Sequence, residues 1–168
     1  CFELHVGTGE DSTFTIDTSG ISGVAVYAQH LPTEFERDRH YLYDSSGTDM
    51  EPIAQESADG DHGHDHDHFE EADFEWAGVF SLDDSSHTWS MQSVGGEYAD
   101  ASMRLVLIPT DAPTAETMEA GEAGAGSLLT GDACAVIEDG ESMTPAAGGS
   151  CFELHVGTGE DSTFTIDT

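Results

Sequence analysis

Lysine is absent from this sequence, and its only cations are Arg37, Arg39 and Arg104. Against 35 acidic residues, they leave a formal net charge of −32 at pH 7. Because binding to nucleic acid depends on neutralising phosphates with Lys and Arg, this composition excludes nucleic acid as a partner. An anionic membrane surface would repel the same charge.

Long apolar segments are absent too. No apolar run approaches the roughly 20 residues that a membrane-spanning helix needs, so the sequence predicts no membrane insertion. No secretory signal is recognisable, and the sequence starts at Cys1 rather than at methionine. We therefore expect a processed or excised piece of a longer protein.

Signatures of catalysis are scarce as well. Neither a G-x-S-x-G nor an H-E-x-x-H motif occurs. The stretch Gly7-Thr8-Gly9 is not followed by the lysine of a phosphate-binding loop. Pairs of acidic residues are uninformative in a chain that has 35 of them. We therefore predict that the protein is not an enzyme.

An internal duplication is the strongest signal that is present. Residues 1–18 and residues 151–168 have the same sequence, CFELHVGTGEDSTFTIDT. Their spacing corresponds to a domain rather than to a solenoid repeat. We therefore predict that residues 1–150 form one repeat unit. Residues 151–168 would be a joining strand or the start of the next unit.

Three explanations of the duplication remain open. In the first, residues 151–168 begin the next unit of a long tandem array. In the second, separate subunits polymerise, and each lends a terminal strand to the sheet of its neighbour. In the third, the second copy is an engineered, self-complementing strand. The first two predict a fibre of identical copies, because head-to-tail contacts that do not close generate filaments.

Each unit has two cysteines, because Cys151 repeats Cys1. A disulfide between Cys134 and Cys151 would fasten the last strand of one unit to the first strand of the next. The alternatives are a Cys1–Cys134 bond inside one domain and three free, buried thiols. Since disulfides persist in oxidising compartments, a disulfide would favour an extracellular or cell-surface protein.

Apolar and polar residues alternate with a period of two, which is typical of strands. Residues 2–18 contain two such runs around a Gly-rich turn, so a β-hairpin is predicted there. Further strands are predicted at residues 23–30, 39–43, 74–82, 87–94, 103–108, 133–138 and 152–156.

Eight or nine short antiparallel strands without a long helix predict an all-β fold. A β-sandwich of Ig-like or jelly-roll-like type accommodates them best. Two stretches do not fit a core: residues 44–73 are acidic, and residues 110–132 are rich in Ala and Gly. Both are predicted to be long surface loops.

A run of histidines and aspartates occupies residues 62–68. Histidines combined with carboxylates suit Zn²⁺, Cu²⁺ or Ni²⁺, so we predict a transition-metal site of moderate affinity in this run. The proposed ligands are His62, His64, His66, His68, Asp65 and Asp67. The alternative is a solvated acidic loop in which the histidines are incidental.

Two weaker metal hypotheses concern other residues. Calcium could bind loosely at the acidic turns Glu10-Asp11 and Asp83-Asp84, whereas an EF-hand is excluded because His64 stands where the loop requires glycine. Single histidines on strands are more often packed or surface residues than ligands, but a second site built from strand histidines is a further hypothesis. These histidines are His5, His30, His40 and His87.

Together these observations predict a structural subunit of an extracellular fibre or tandem-repeat surface stalk. Units would join head to tail by β-strand complementation, with apolar side chains filling a groove in the neighbouring unit. The joint would consist of Phe152, Leu154, Val156, Phe164 and Ile166, fastened by the Cys134–Cys151 disulfide. The alternative function is a secreted or periplasmic protein that binds Zn²⁺ or Cu²⁺ for metal buffering or delivery.

Overall fold

The computed structural model describes residues 11–57 and 73–156. These residues form ten strands, one α-helix and one short 3-10 helix. The strands are β1 (Ser12–Asp17), β2 (Gly23–Ala28), β3 (Leu42–Tyr43), β4 (Ala54–Ser57), β5 (Trp76–Ser81), β6 (Ser86–Met91), β7 (Ser102–Pro109), β8 (Ala135–Ile137), β9 (Ser142–Met143) and β10 (Ser150–His155). The α-helix, α1, is Ala115–Leu129, and the 3-10 helix is Pro32–Phe35.

The strands form two open sheets, which confirms the predicted all-β sandwich. The four-stranded sheet has the order β3-β6-β1-β9, and the six-stranded sheet has the order β4-β5-β2-β7-β10-β8. All strand pairs were expected to be antiparallel, but β1 with β9 and β10 with β8 are parallel. The expectation is wrong there because the chain crosses from one sheet to the other between β8 and β9 instead of reversing in a hairpin.

Apolar side chains from both sheets fill the space between them. In β1 the predicted alternation holds, because Phe14 and Ile16 point inward while their neighbours are half-buried. Tyr41 packs its ring against Trp76 and Trp89, with centroids 5.4 and 5.2 Å away. Other members of this core are Val24, Val26, Phe80, Met91, Met103, Leu105, Leu107, Phe152 and Leu154.

The predicted surface loop at residues 110–132 is wrong, because most of it forms α1. Thr114 and Thr117 cap the helix by exchanging hydrogen bonds between side chain and backbone. The helix covers the outer face of the six-stranded sheet and makes a second core. Its glycines allow close packing: a Cβ on Gly121 would collide with the Tyr27 hydroxyl, which donates a hydrogen bond to the carbonyl of Met118.

The other predicted loop, residues 44–73, is also wrong in part. It contains β4, which is the edge strand of the six-stranded sheet and pairs with β5. Residues 58–72 lie outside the described residues. Of the strand predicted at residues 39–43, only β3 forms. The Tyr41 N–H donates its hydrogen bond to the Glu36 carboxylate rather than to a neighbouring strand.

Of the predicted hairpin at residues 2–18, residues 2–10 lie outside the described residues. The second half of the first copy forms β1, which pairs with β6 and β9 on its two sides. The first half of the second copy forms β10, which pairs with β7 and β8 in the other sheet. The strands β1 and β10 therefore lie in different sheets, and each has a neighbour on both sides.

Candidate assembly joint and metal-ligand cluster

The strand β10 is an interior strand, and it comes from the second copy of the repeated segment. It pairs antiparallel with β7, where Phe152 lies opposite Leu105. It pairs parallel with β8, where Phe152 lies opposite Ala135. The side chains of Phe152 and Leu154 are 6% and 0% exposed in the core between the sheets. Since β10 is the strand that joins β7 to β8, the sheet is incomplete without it.

A disulfide fixes the start of β10. Cys134, immediately before β8, is bonded to Cys151, and their Cα atoms are 4.5 Å apart. This is the cysteine pair that the sequence predicts. Both residues belong to one sheet, however, so the bond is internal to the sandwich rather than a link between two sandwiches.

Arg104 connects β10 to its surroundings through polar contacts. Its Nε donates to the Glu153 carboxylate over 3.1 Å, across the β7–β10 pair. Its Nη1 donates to the carbonyls of Leu129 and Gly131 over 2.8 and 3.3 Å. These carbonyls lie at the carboxyl end of α1, where a cation is favourable. One of the three cations of the protein therefore ties β7, β10 and α1 together.

His155, at the end of β10, lies between two carboxylates. Its Nδ1 is 3.2 Å from Glu138 and its Nε2 is 3.3 Å from Glu153. The hydrogen bond from His155, followed by the hydrogen bond and charge of Arg104, holds the pKa of Glu153 below its usual value. The ionised form of Glu153 is thus the form that the folded sandwich favours.

Replacing Glu153 by glutamine is expected to destabilise the sandwich in a pH-dependent way. A carboxyl with a lowered folded-state pKa contributes stability above its usual pKa, and that contribution is lost as the pH falls through the lowered value. Glu153→Gln should therefore cost about 1 kcal/mol near pH 7, and the difference from the parent should vanish at strongly acidic pH.

Urea unfolding of both proteins between pH 7 and pH 3 measures this difference. Glu3→Gln is the matched control, because Glu3 occupies the same position in the first copy of the segment. A Glu153→Gln deficit that stays constant with pH would contradict the role given to the carboxylate.

The start of β1 is also held by a polar network. Arg37 Nη2 and Gln92 Nε2 both donate to Asp11 Oδ2, over 3.0 and 3.1 Å. The Gln92 side chain is buried, and its Oε1 accepts hydrogen bonds from three successive backbone N–H groups, of residues 37–39. The first described residue of the chain is therefore fixed to the four-stranded sheet.

The start of β1 and the end of β10 lie at the same end of the sandwich. Residues 92–101 join β6 to β7 at this end. Ser12 Oγ is 3.1 Å from the Tyr98 hydroxyl, and the Val156 N–H donates to the Ala101 carbonyl over 3.1 Å. Both halves of the repeated segment thus meet this connection, one in each sheet.

The described residues contain one group of three side chains with ligand atoms close enough to hold a metal ion. It consists of His30, Glu34 and Glu75, whose ligand atoms lie within 4.8 Å of one another. His30 Nε2 also lies 3.3 Å from an Asp100 carboxylate oxygen. Glu34 follows His30 by four residues, but Glu75 comes from a distant segment of a chain with 35 acids, so the sequence offers no signal that would add Glu75 to this pair. Of this group, only His30 is a candidate ligand from the sequence.

The structure does not bring the other strand histidines into this group. His87 is buried, lies 3.0 Å from the Thr18 hydroxyl, and has its pKa lowered by desolvation. His40 is paired with Glu36 over 2.6 Å. Both have the surroundings of structural histidines. Asp84, in one of the acidic turns, accepts a hydrogen bond from the Ser45 hydroxyl over 2.6 Å.

Several predicted site residues lie outside the described residues. They are the metal ligands His62, His64, His66, His68, Asp65 and Asp67, the joint residues Phe164 and Ile166, and His5 and Glu10. Of the other joint residues, Phe152 and Leu154 are in the core of this chain's own sandwich, and Val156 packs half-buried against it.

In comparisons with known proteins, no family model, curated protein or solved structure matches this chain. Among the described residues, no helix combines the length and apolar character needed to cross a membrane.

Proposed function

We propose that this chain is a structural module of an extracellular head-to-tail assembly, a fibre or a tandem-repeat stalk. In this assembly, the repeated segment is divided between successive sandwiches. Its first half, CFELHV, closes one sandwich as β10, and its second half, STFTID, begins the next sandwich as β1. Backbone pairing, two buried apolar side chains and a disulfide hold the first half in place.

One observation carries this proposal: the two halves occupy interior positions in opposite sheets. An interior strand makes hydrogen bonds on both sides, so it is a strong point of attachment compared with an edge. An identical first half is available at residues 1–6, yet the described sandwich takes its β10 from residues 150–155. This supports closure of each sandwich from the carboxyl-terminal side of the unit.

Two routes give the same arrangement of strands. In a covalent array, the chain continues from β10 of one sandwich into β1 of the next. In an exchange polymer, a subunit ends at residue 150, and residues 1–6 of a neighbouring subunit fill the place of β10. In both, residues between the two strands form a link of about six residues, which spans at most about 20 Å. Successive sandwiches would therefore lie close together.

The charge and the disulfide support the extracellular setting. Disulfides persist in oxidising compartments, and the Cys134–Cys151 bond closes β10 into the sheet. A net charge of −32 makes identical units repel each other. Close packing of units therefore requires screening by salt or by bound cations.

The competing arrangement is a self-contained sandwich. Because packed sheets are about 10 Å apart, the five residues 7–11 between residue 6 and β1 could let residues 1–6 reach the place of β10 in the same sandwich. Cys1 would then bond to Cys134 inside one chain. Such a protein would need no neighbour to complete its sheet.

A chain that ends at Ser150 separates these possibilities. A chain without residues 151–168 is expected to form oligomer ladders and filaments in high salt, joined by Cys1–Cys134 bonds between chains. Sizing, electron microscopy and non-reducing gels would measure this. The matched control is the same shortened chain with Phe2→Asp and Leu4→Asp. These substitutions put carboxylates in the place of the two apolar side chains of the donated strand, so this variant should not assemble. A monodisperse monomer with Cys1 bonded to its own Cys134 would overturn the proposed assembly.

A further inference from the structure

The group around His30 is built by two segments of the chain, residues 30–34 and the residue before β5. His30 follows β2, Glu34 lies in the 3-10 helix Pro32–Phe35, and Glu75 precedes β5. Backbone hydrogen bonds fix two of them: the Glu75 N–H donates to the Ala28 carbonyl over 3.0 Å, and the Glu34 N–H donates to Leu31 over 3.1 Å. The backbone positions of Glu34 and Glu75 therefore follow from the fold.

Each nitrogen of the His30 ring faces a different carboxylate. Nδ1 is 3.8 Å from Glu75 Oε2. Nε2 is 3.3 Å from Asp100 Oδ2. A metal-binding imidazole commonly donates its other N–H to a carboxylate, which fixes the tautomer and the orientation of the ring. Asp100 is placed to do this for His30.

The charges around His30 favour a cation. Glu34, Glu75 and Asp100 bring three carboxylates to one imidazole, whereas two of the three arginines are engaged elsewhere. Arg37 pairs with Asp11, and Arg104 pairs with Glu153. The third, Arg39, lies over the ring of Tyr43.

We propose that His30 Nδ1, Glu34 and Glu75 bind one divalent transition-metal ion, and that Asp100 positions the imidazole through Nε2. An imidazole with two carboxylates suits Zn²⁺ better than Ca²⁺ or Mg²⁺, which prefer oxygen ligands alone. Three protein ligands leave a coordination position for water. This site does not depend on the proposed assembly.

The site also lies beside the end of β10. Asp100 precedes Ala101, whose carbonyl accepts the hydrogen bond from Val156. A bound cation would reduce the negative charge at the end of the sandwich where the repeated segment leaves it.

Zinc titration of the full chain by calorimetry tests the site. The histidines of the predicted metal-binding run would first be changed to asparagine, so that they do not contribute: His62, His64, His66 and His68. This protein is expected to bind one Zn²⁺. His30→Gln should weaken binding at least tenfold, and Asp100→Asn should weaken it by roughly 10–100-fold.

The matched control is His40→Gln, because His40 pairs with the single carboxylate of Glu36. It should leave zinc affinity unchanged. The ¹⁵N shift of the His30 Nδ1 should also change on zinc addition, which a merely structural histidine would not show. Absence of zinc binding, or equal loss of affinity in His30→Gln and His40→Gln, would overturn the site.

Discussion

Replacing both Phe152 and Leu154 by aspartate is expected to lower the free energy of unfolding by about 5 kcal/mol or more. The two side chains are buried between the sheets, so the substitution removes apolar contacts and places two carboxylates in the core. A loss of this size is comparable to the whole stability of many domains. Chains that still fold are expected to bond Cys134 to Cys1, because residues 1–6 carry the displaced sequence.

The matched variant changes the same two residue types in the other copy. Phe2→Asp with Leu4→Asp should leave the free energy of unfolding of the full chain unchanged, because β10 comes from the second copy. Urea unfolding and circular dichroism compare the two variants. A large loss for the Phe2 and Leu4 pair, with little loss for the Phe152 and Leu154 pair, would show that the first copy closes the sandwich.

Loss of the disulfide is the second large effect. Cys134→Ala with Cys151→Ala is expected to destabilise the sandwich by about 3 kcal/mol, because the bond closes a loop of 17 residues in the unfolded chain. For a domain of this size, the thermal midpoint should fall by roughly 6–12 °C. The sheet order should be kept, since β10 retains its pairing with β7 and β8.

Cys1→Ala provides the control for this prediction. It removes a cysteine of the same sequence context but should leave the thermal midpoint unchanged. Calorimetry of both variants under oxidising conditions makes the comparison. An effect of Cys1→Ala equal to that of the double variant would mean that Cys1 takes part in the stabilising bond.

Several strands and the disulfide could be predicted from the sequence, because they depend on local patterns of residues. The alternation around Phe14 and Ile16 marks the buried face of β1, and the aromatic face of β5 is marked in the same way by Trp76 and Phe80. The pairing of Cys134 with Cys151 could also be predicted, since both flank short β-like runs. A half-buried strand carries its burial pattern in its own residues.

The sequence predicts a loop where the structure has α1, because tertiary packing decides this helix. The segment that forms α1 contains Gly121, Gly124 and Gly126, which weaken a helix in isolation. In the sandwich, Gly121 admits the Tyr27 hydroxyl against the helix.

The metal-ligand group was beyond sequence reasoning for another reason. Glu34 is close to His30 in the sequence, but Glu75 and Asp100 are two acids among 35 and lie far from it. They converge on His30 because the end of β2, the start of β5 and the connection before β7 lie in one region of the six-stranded sheet. The order of the strands in the sheet brings these residues together, and a single sequence does not provide that order.

Disulfide mapping of the unmodified full chain tests most directly whether the repeated segment is divided between sandwiches. Cleavage after glutamate separates the two candidate partners of Cys134, because residues 1–3 and residues 142–153 become different peptides. Cys134 is expected to be recovered bonded to the peptide of residues 142–153. Recovery of Cys134 bonded mainly to the peptide of residues 1–3 would contradict it.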